Sequence, residues 1–309
     1  MFDQLLEYEN QPIPTDTTVY DNIHQLLKKN PSIETDDNTI IYLLNWRSGF
    51  GSALTVYMQN LFFFKSLNKN LTVLPMFCLN DIHFKYHDPT IHNSFFVYFK
   101  YKEILSIENK KIYFCHTTFL NTLPFFNGTI PPIKDPTNKM YISFFSNYFY
   151  PNLDFQMINN IFDSYKYGDK KIVGIHLRSY FQKLWHHQEY LSIPLNTRLS
   201  NLKIELDQEF GNNYVIFVAT DVSDYIDEAK KIFDDVKYLD WISRIKNNKI
   251  DDIPEDSIPN LGEHTGIKLG TDILYDCYML SRCDKIYLTK SNITIMVSLF
   301  NPEGNMIEF

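Results

Sequence analysis

The sequence predicts a two-domain α/β chain whose second half is a Rossmann-like parallel sheet with helices on both faces. Three observations carry that expectation. Short, largely apolar runs recur at residues 172–177, 214–220, 236–241 and 285–289. That is the pattern of strands buried on both faces of a parallel sheet. Helix-length segments separate or follow them, at residues 194–210, 223–233, 269–283 and 292–300, so the elements alternate as βαβ units do. The 309 residues are also enough for two separate cores.

The first half reads as follows. Residues 1–38 are polar with scattered prolines, an irregular lead-in with one short helix at 21–29. The run TIIYLLNW, 39–46, is a strand, and RSGFGSALTVYMQNLFFFKSL follows at once. Gly49 and Gly51 suit a tight turn, and Leu54, Tyr57, Met58, Leu61 and Phe62 give residues 52–67 helical spacing. Strand, glycine loop and helix start in succession aim unpaired backbone N–H groups at one spot, a ready anion site; a turn that merely packs is the competing reading. Strands follow at 71–77 and 111–117. Between them, residues 80–101 hold His83 and His87 at helical i, i+4 spacing with Asp88 beside them, a possible metal set. Phe84, Tyr86, Pro89 and Phe95 make this an irregular loop instead, so no metal is expected. A proline-rich loop spans 123–136, and a helix at 152–167 presents Leu153, Met157, Ile161 and Phe162 on one face. Gly168 ends it, which sets the domain boundary: 1–168 and 169–309.

In the second half the chemistry gathers at strand ends. The run KKIVGIHLRSYF places His176 and Arg178 two residues apart at a carboxyl end, where a strand's period of two puts both on one side. Ligands of open α/β sheets bind at that edge, and arginine's planar fork suits phosphate oxygens. Thr220 and Asp221 end the next strand, and Thr289, Lys290, Ser291 and Asn292 the last. Asp221 and Ser291 also have a plain reading as helix N-caps, as Asp276 has one as a solvated mid-helix residue.

Composition narrows the partners. A formal charge of −8 argues against nucleic acid, which wants clustered cations. Cys78, Cys115, Cys277 and Cys283 lack CxxC spacing and read as free thiols in a reducing compartment. The amino-terminal residues MFDQLLEYENQPIP lack a basic start followed by an apolar run, and no stretch is apolar enough to span a bilayer. The expectation is a soluble, cytoplasmic protein with no membrane span.

Four motifs, in this order, carry a resemblance: GFGSAL (49–54), GIHLR (174–178), IFVATD (216–221) and LGTDILYDCYMLSRCDKIYLTKSN (269–292). Together they resemble the fucosyltransferase superfamily, which includes core α1,6-fucosyltransferases, nodulation fucosyltransferases and protein O-fucosyltransferases. The resemblance implies a GT-B-like fold, two Rossmann-like α/β domains with a cleft between them. It implies GDP-fucose as donor, a glycan or glycoconjugate hydroxyl as acceptor, inversion at the anomeric carbon, and neither metal nor cofactor. It makes Arg178 the residue on the β-phosphate, with His176 beside the nucleotide. Gly49, Phe50, Gly51 and Ser52 would approach the diphosphate from the first domain. Asp276 would read guanine, Thr220 and Asp221 would flank the nucleotide, and Ser291 and Asn292 would meet phosphate at a helix start. The superfamily's second arginine is replaced by Ser179, and its following acid is absent. For the base that takes the acceptor proton, Glu189 is the first choice and His186 the second. Two other readings stay open: a glycosyltransferase using another sugar nucleotide, and a non-catalytic nucleotide- or carbohydrate-binding relative.

Overall fold

The computed structural model describes residues 39–44, 50–67, 70–76, 95–102, 111–116, 136–166, 168–178, 193–244, 267–289, 291 and 293–309. The expected helix at 21–29, the histidines of 80–92, the loop at 123–135, Cys78, Gly49, His186, Glu189 and Asn292 lie outside them. The chain forms two compact units, residues 1–152 and 153–309.

In the first unit β1 (Thr39–Leu44) is the middle strand of a parallel sheet, between β2 (Thr72–Met76) and β4 (Lys111–His116). Its register runs Ile40 against Thr72 and Leu43 against Cys115. The helix α1 (Phe50–Leu67) follows β1 as a crossover must. The remaining described elements are α2 (Phe95–Tyr98), β3 (Phe99–Tyr101), α3 (Pro136–Tyr148) and β5 (Phe149–Pro151). Here β3 and β5 pair antiparallel, Phe99 opposite Pro151. Two i, i+4 phenylalanine pairs hold this corner. Phe95 stacks on Phe99 at 5.1 Å and Phe145 on Phe149 at 4.9 Å, while Phe95 meets Phe149 edge-on at 5.3 Å. Such offset and edge contacts are those the ring quadrupole favours. The irregular loop expected through residue 101 is thus ordered helix and strand from Phe95 onward, because those rings are buried.

The second unit carries a five-stranded, all-parallel sheet. Its strands are β6 (Lys171–Leu177), β7 (Tyr214–Thr220), β8 (Val236–Lys237), β9 (Lys285–Leu288) and β10 (Met306–Glu308), in the order β10-β9-β6-β7-β8. Its helices are α4 (Phe155–Ser164), α5 (Leu195–Phe210), α6 (Ser223–Ile232), α7 (Ile267–Ser281) and α8 (Ile293–Phe300). Alternate residues of β6 face opposite layers. Val173, Ile175 and Leu177 pack with Leu199, Leu202 and Leu206 of α5 and Ile226 and Ala229 of α6 in one core. On the other face, a Cβ at Gly174 would lie 2.9 Å from Cys283 Sγ and 3.0 Å from Leu280 Cδ2, so the end of α7 rests on bare backbone. Helices on both faces make this a doubly wound, Rossmann-like unit.

One sequence expectation needs correction. The strand expected at 236–241 ends at Lys237. Arg244 Nη1 donates to the carbonyls of Leu239 (2.7 Å) and Ile242 (3.1 Å), which curls residues 239–244 away from the ladder. The two compact units divide between Asn152 and Leu153, with α4 in the second unit. There Tyr278 Oη donates to Asn159 Oδ1 at 2.8 Å, and Phe155 meets the Tyr278 ring edge-on at 5.1 Å. Gly168, at φ 59°, turns the chain from α4 into β6.

Candidate functional site

The strand order places the site. From β6 the chain winds outward through β7 to β8, then returns to β9 on the other side of β6 and goes on to β10. The winding direction therefore reverses between β6 and β9, and open α/β sheets bind ligands beyond the carboxyl ends at such a reversal. The tips of β9, β6 and β7 end level, with His176 opposite Leu288 and Leu177 opposite Thr220. Thr289 ties two of them together, its Oγ1 donating to the His176 carbonyl at 3.0 Å.

His176 is buried on the β6 face that carries Gly174, the face against α7. Arg178 follows the end of β6 and is half-buried. The Thr220 hydroxyl accepts the Val222 N–H at 3.2 Å, so it shapes the turn out of β7. The N-cap of α6 is Val222, without a side-chain bond, so Asp221 does not serve as that cap. Ser291 is buried, and its Oγ accepts the Ile293 N–H at 3.3 Å, the plain capping reading for α8. In the first unit, Phe50 and Gly51 lie inside α1 rather than in a loop before Ser52. The cause is local: Phe50 is buried with its ring edge-on to Tyr98 at 4.9 Å, and the Gly51 carbonyl accepts Thr55 Oγ1 at 2.8 Å.

Helix α7 brings the sharpest feature. Asp272 and Asp276 stand one turn apart, on neighbouring positions of one helical face. Asp272 is satisfied: its Oδ2 accepts Ser243 N–H at 3.0 Å, Ser243 Oγ at 2.9 Å and Lys268 Nζ at 2.6 Å. Asp276 is half-buried as a residue, yet its Oδ1 is shut off from solvent and accepts no hydrogen bond. Burial lifts its pKa from 3.8 to about 8; the Arg244 charge opposes this, and Asp272 and Asp221 add to it. Those partners locate Asp276 between the end of β7 and the turn after β8. It is therefore not a solvated helix residue.

Arg244, which carried no signal in the sequence, completes the cluster. Only Nη1 of its guanidinium is bonded; Nε and Nη2 are buried without a partner. Its Cζ lies 5.4 Å from the Tyr238 ring centre, a cation–π contact. Among the described residues, no group of three or more His, Cys, Asp or Glu side chains could hold a metal ion, and no helix is long and apolar enough to cross a membrane. Cys277 and Cys283 are free and buried.

No protein family and no curated protein matches this chain by sequence. Solved structures do match. NodZ alpha-1,6-fucosyltransferase co-crystallized with GDP is 16% identical over 88% of this chain and 95% of that one, with a TM-score of 0.48. Fucosyltransferase NodZ from Bradyrhizobium gives 15%, 88%, 96% and 0.46 for the same quantities. A single-residue mutant of Arabidopsis thaliana FUT1 in complex with GDP is 12% identical over 96% of this chain and 76% of that one, TM-score 0.42.

Proposed function

We propose that the chain is an inverting, metal-independent glycosyltransferase that moves fucose from GDP-fucose to a hydroxyl of a glycan or glycoconjugate. One observation carries the reading: a buried carboxylate oxygen on α7, without a hydrogen-bond donor, lies at the carboxyl edge of a parallel sheet. An unmet buried acceptor is costly to the fold, and a ligand with paired donors removes that cost. Guanine offers such a pair in N1–H and its exocyclic amine; uracil and adenine do not. Asp276 is accordingly the base-reading residue, with His176 beside the nucleotide.

Arg178, at the tip of β6, takes the β-phosphate. As the bond from sugar C1 to the phosphate oxygen breaks, the guanidinium fork neutralises charge growing on the departing GDP. The acceptor oxygen attacks C1 from the opposite side and gives its proton to Glu189, with His186 as second choice, yielding GDP and the inverted glycoside. The GT-B arrangement, the approach of Gly49, Phe50, Gly51 and Ser52 to the diphosphate, the phosphate contacts of Ser291 and Asn292, the acceptor role of the first unit and a cytoplasmic location belong to the same proposal.

A donor screen that follows nucleoside diphosphate release in the presence of EDTA tests it. GDP-fucose should be consumed and UDP-sugars left intact. Preference for a UDP-sugar, or a strict requirement for Mn²⁺, would overturn the reading.

A further inference from the structure

Asp276 and Arg244 come from different elements, α7 and the turn after β8, which are joined where Ser243, next to Arg244, donates its N–H (3.0 Å) and its hydroxyl (2.9 Å) to Asp272, one turn from Asp276; the Arg244 charge acts on Asp276. No ion pair joins them among the described residues, although one side chain ends in a carboxyl group and the other in a guanidinium, and three of their polar atoms are buried without partners. An unsatisfied buried acceptor and two unsatisfied buried donors at one place are what a ligand bearing both donors and acceptors would resolve. The free nitrogens of Arg244 are informative. Nε and Nη2 form the side-on fork of the guanidinium, two parallel N–H groups suited to two neighbouring acceptors. The third nitrogen, Nη1, is fixed to the Leu239 and Ile242 carbonyls at 2.7 and 3.1 Å. The fork is thus held in place before any ligand arrives, which lowers the ordering cost of binding.

We infer that Arg244 is a second base-reading residue, its Nε–H and Nη2–H donating to O6 and N7 of a guanine whose N1–H and amino edge is held by Asp276. The inference rests on the proposed use of a GDP donor and adds to it a residue and a set of contacts. Guanine matches because its donors N2 and N1 and its acceptors O6 and N7 follow one another around the rim of the base. A carboxylate that accepts from N1–H and the amine and an arginine fork that donates to O6 and N7 complete that sequence, and arginine's bidentate match to O6 and N7 is a recurrent pairing.

The test is calorimetric titration of the full chain with GDP, 7-deaza-GDP, inosine diphosphate and UDP. The first analogue lacks only the N7 acceptor and the second only the amine facing Asp276. Wild-type protein should bind 7-deaza-GDP about tenfold more weakly than GDP, the scale of one hydrogen bond to a charged group. In Arg244→Met that ratio should collapse to about one, while the ratio of GDP to inosine diphosphate is kept. Arg244→Lys, which retains the charge but not the fork, should collapse it as well. Because each readout is a ratio within one protein, partial unfolding of a variant does not mimic the result. Equal binding of GDP and 7-deaza-GDP by wild type, or a ratio unchanged in both variants, overturns the inference and leaves the GDP donor standing. Failure of wild type to prefer GDP over UDP removes the donor reading, and this inference with it.

Discussion

Asp272 and Asp276 occupy one helix, one turn apart, and their surroundings are opposites. Asp272 is 4% exposed and holds three donors, tying the backbone N–H and hydroxyl of Ser243 to α7 and accepting the Lys268 ammonium from one turn earlier in the same helix. Asp276 has a sealed oxygen with no donor and a pKa raised to about 8. A buried polar group that is fully met holds a fold in one arrangement; one left unmet costs stability and persists for another reason. On the proposed reading, the contrast separates a carboxylate that builds the site from one that serves it.

The largest effect expected is on nucleotide binding. Asp276→Asn replaces an acceptor pair with one acceptor and one misplaced donor. Two hydrogen bonds to a charged group, at about 1.5 kcal/mol each, amount to roughly 100-fold in GDP affinity. Calorimetry should show that loss in Asp276→Asn, and a change within a few-fold in Asp272→Asn. Similar losses in the two variants would erase the distinction drawn here.

Stability should divide the other way. Asp272→Ala strands the Ser243 N–H, while the Lys268 ammonium, 44% exposed, keeps its bonds to the Trp241 carbonyl and Ser243 Oγ, so the cost is about 2 kcal/mol rather than that of a sealed pair. A thermal melt should register it as a fall of several degrees. The same melt should show Asp276→Asn unchanged or more stable at neutral pH and above.

A pH series sharpens the point. A carboxyl whose pKa rises from 3.8 in the open chain to about 8 in the fold keeps its proton longer when folded. Between those values the native state binds more protons than the unfolded one, so stability falls as pH rises through the window. The stability difference between wild type and Asp276→Asn should therefore shift steadily in the variant's favour from pH 4 to pH 8. GDP affinity should move in the opposite sense, rising with pH below about 8 and levelling above it, because the proton must leave before guanine's N–H groups are accepted. A flat GDP profile would mean Asp276 is not the acceptor.

Much of this was legible in the sequence, for physical reasons. Parallel strands buried on both faces are written as continuous apolar runs, so β6, β7 and β9 were read to within a residue or so. Polar residues directly after such runs have to sit at the carboxyl edge, which is why His176, Arg178 and Asp221 were candidates. What escaped depends on long-range pairing. The curl at 239–244 is made by Asp272 and Arg244, and nothing adjacent to Trp241 announces it. The same holds for Arg244 itself, whose interest lies in two nitrogens left unmet rather than in any motif. Inside α1, Phe50 and Gly51 illustrate the reverse error: glycines suggested a loop, and burial of the Phe50 ring drew them into the helix.

Gly174 gives the smallest expected effect and the finest probe, because it governs how closely α7 approaches β6. A methyl group there would sit 2.9 Å from Cys283 Sγ and 3.0 Å from Leu280 Cδ2, closer than real Cβ contacts allow. The Cys283 thiol and the Leu280 methyl can give slightly, and alanine recovers some backbone entropy, so Gly174→Ala should cost about 1 kcal/mol. The strain acts at the end of α7 nearest Asp276 and farther from Asp272. If Asp276 works by being held beside the tip of β6, GDP affinity should fall several-fold in Gly174→Ala, and the melt should drop less than in Asp272→Ala. Unchanged GDP affinity alongside the lower melting point would show that the spacing of α7 from β6 sets stability alone, and that the two aspartates differ for some cause other than position.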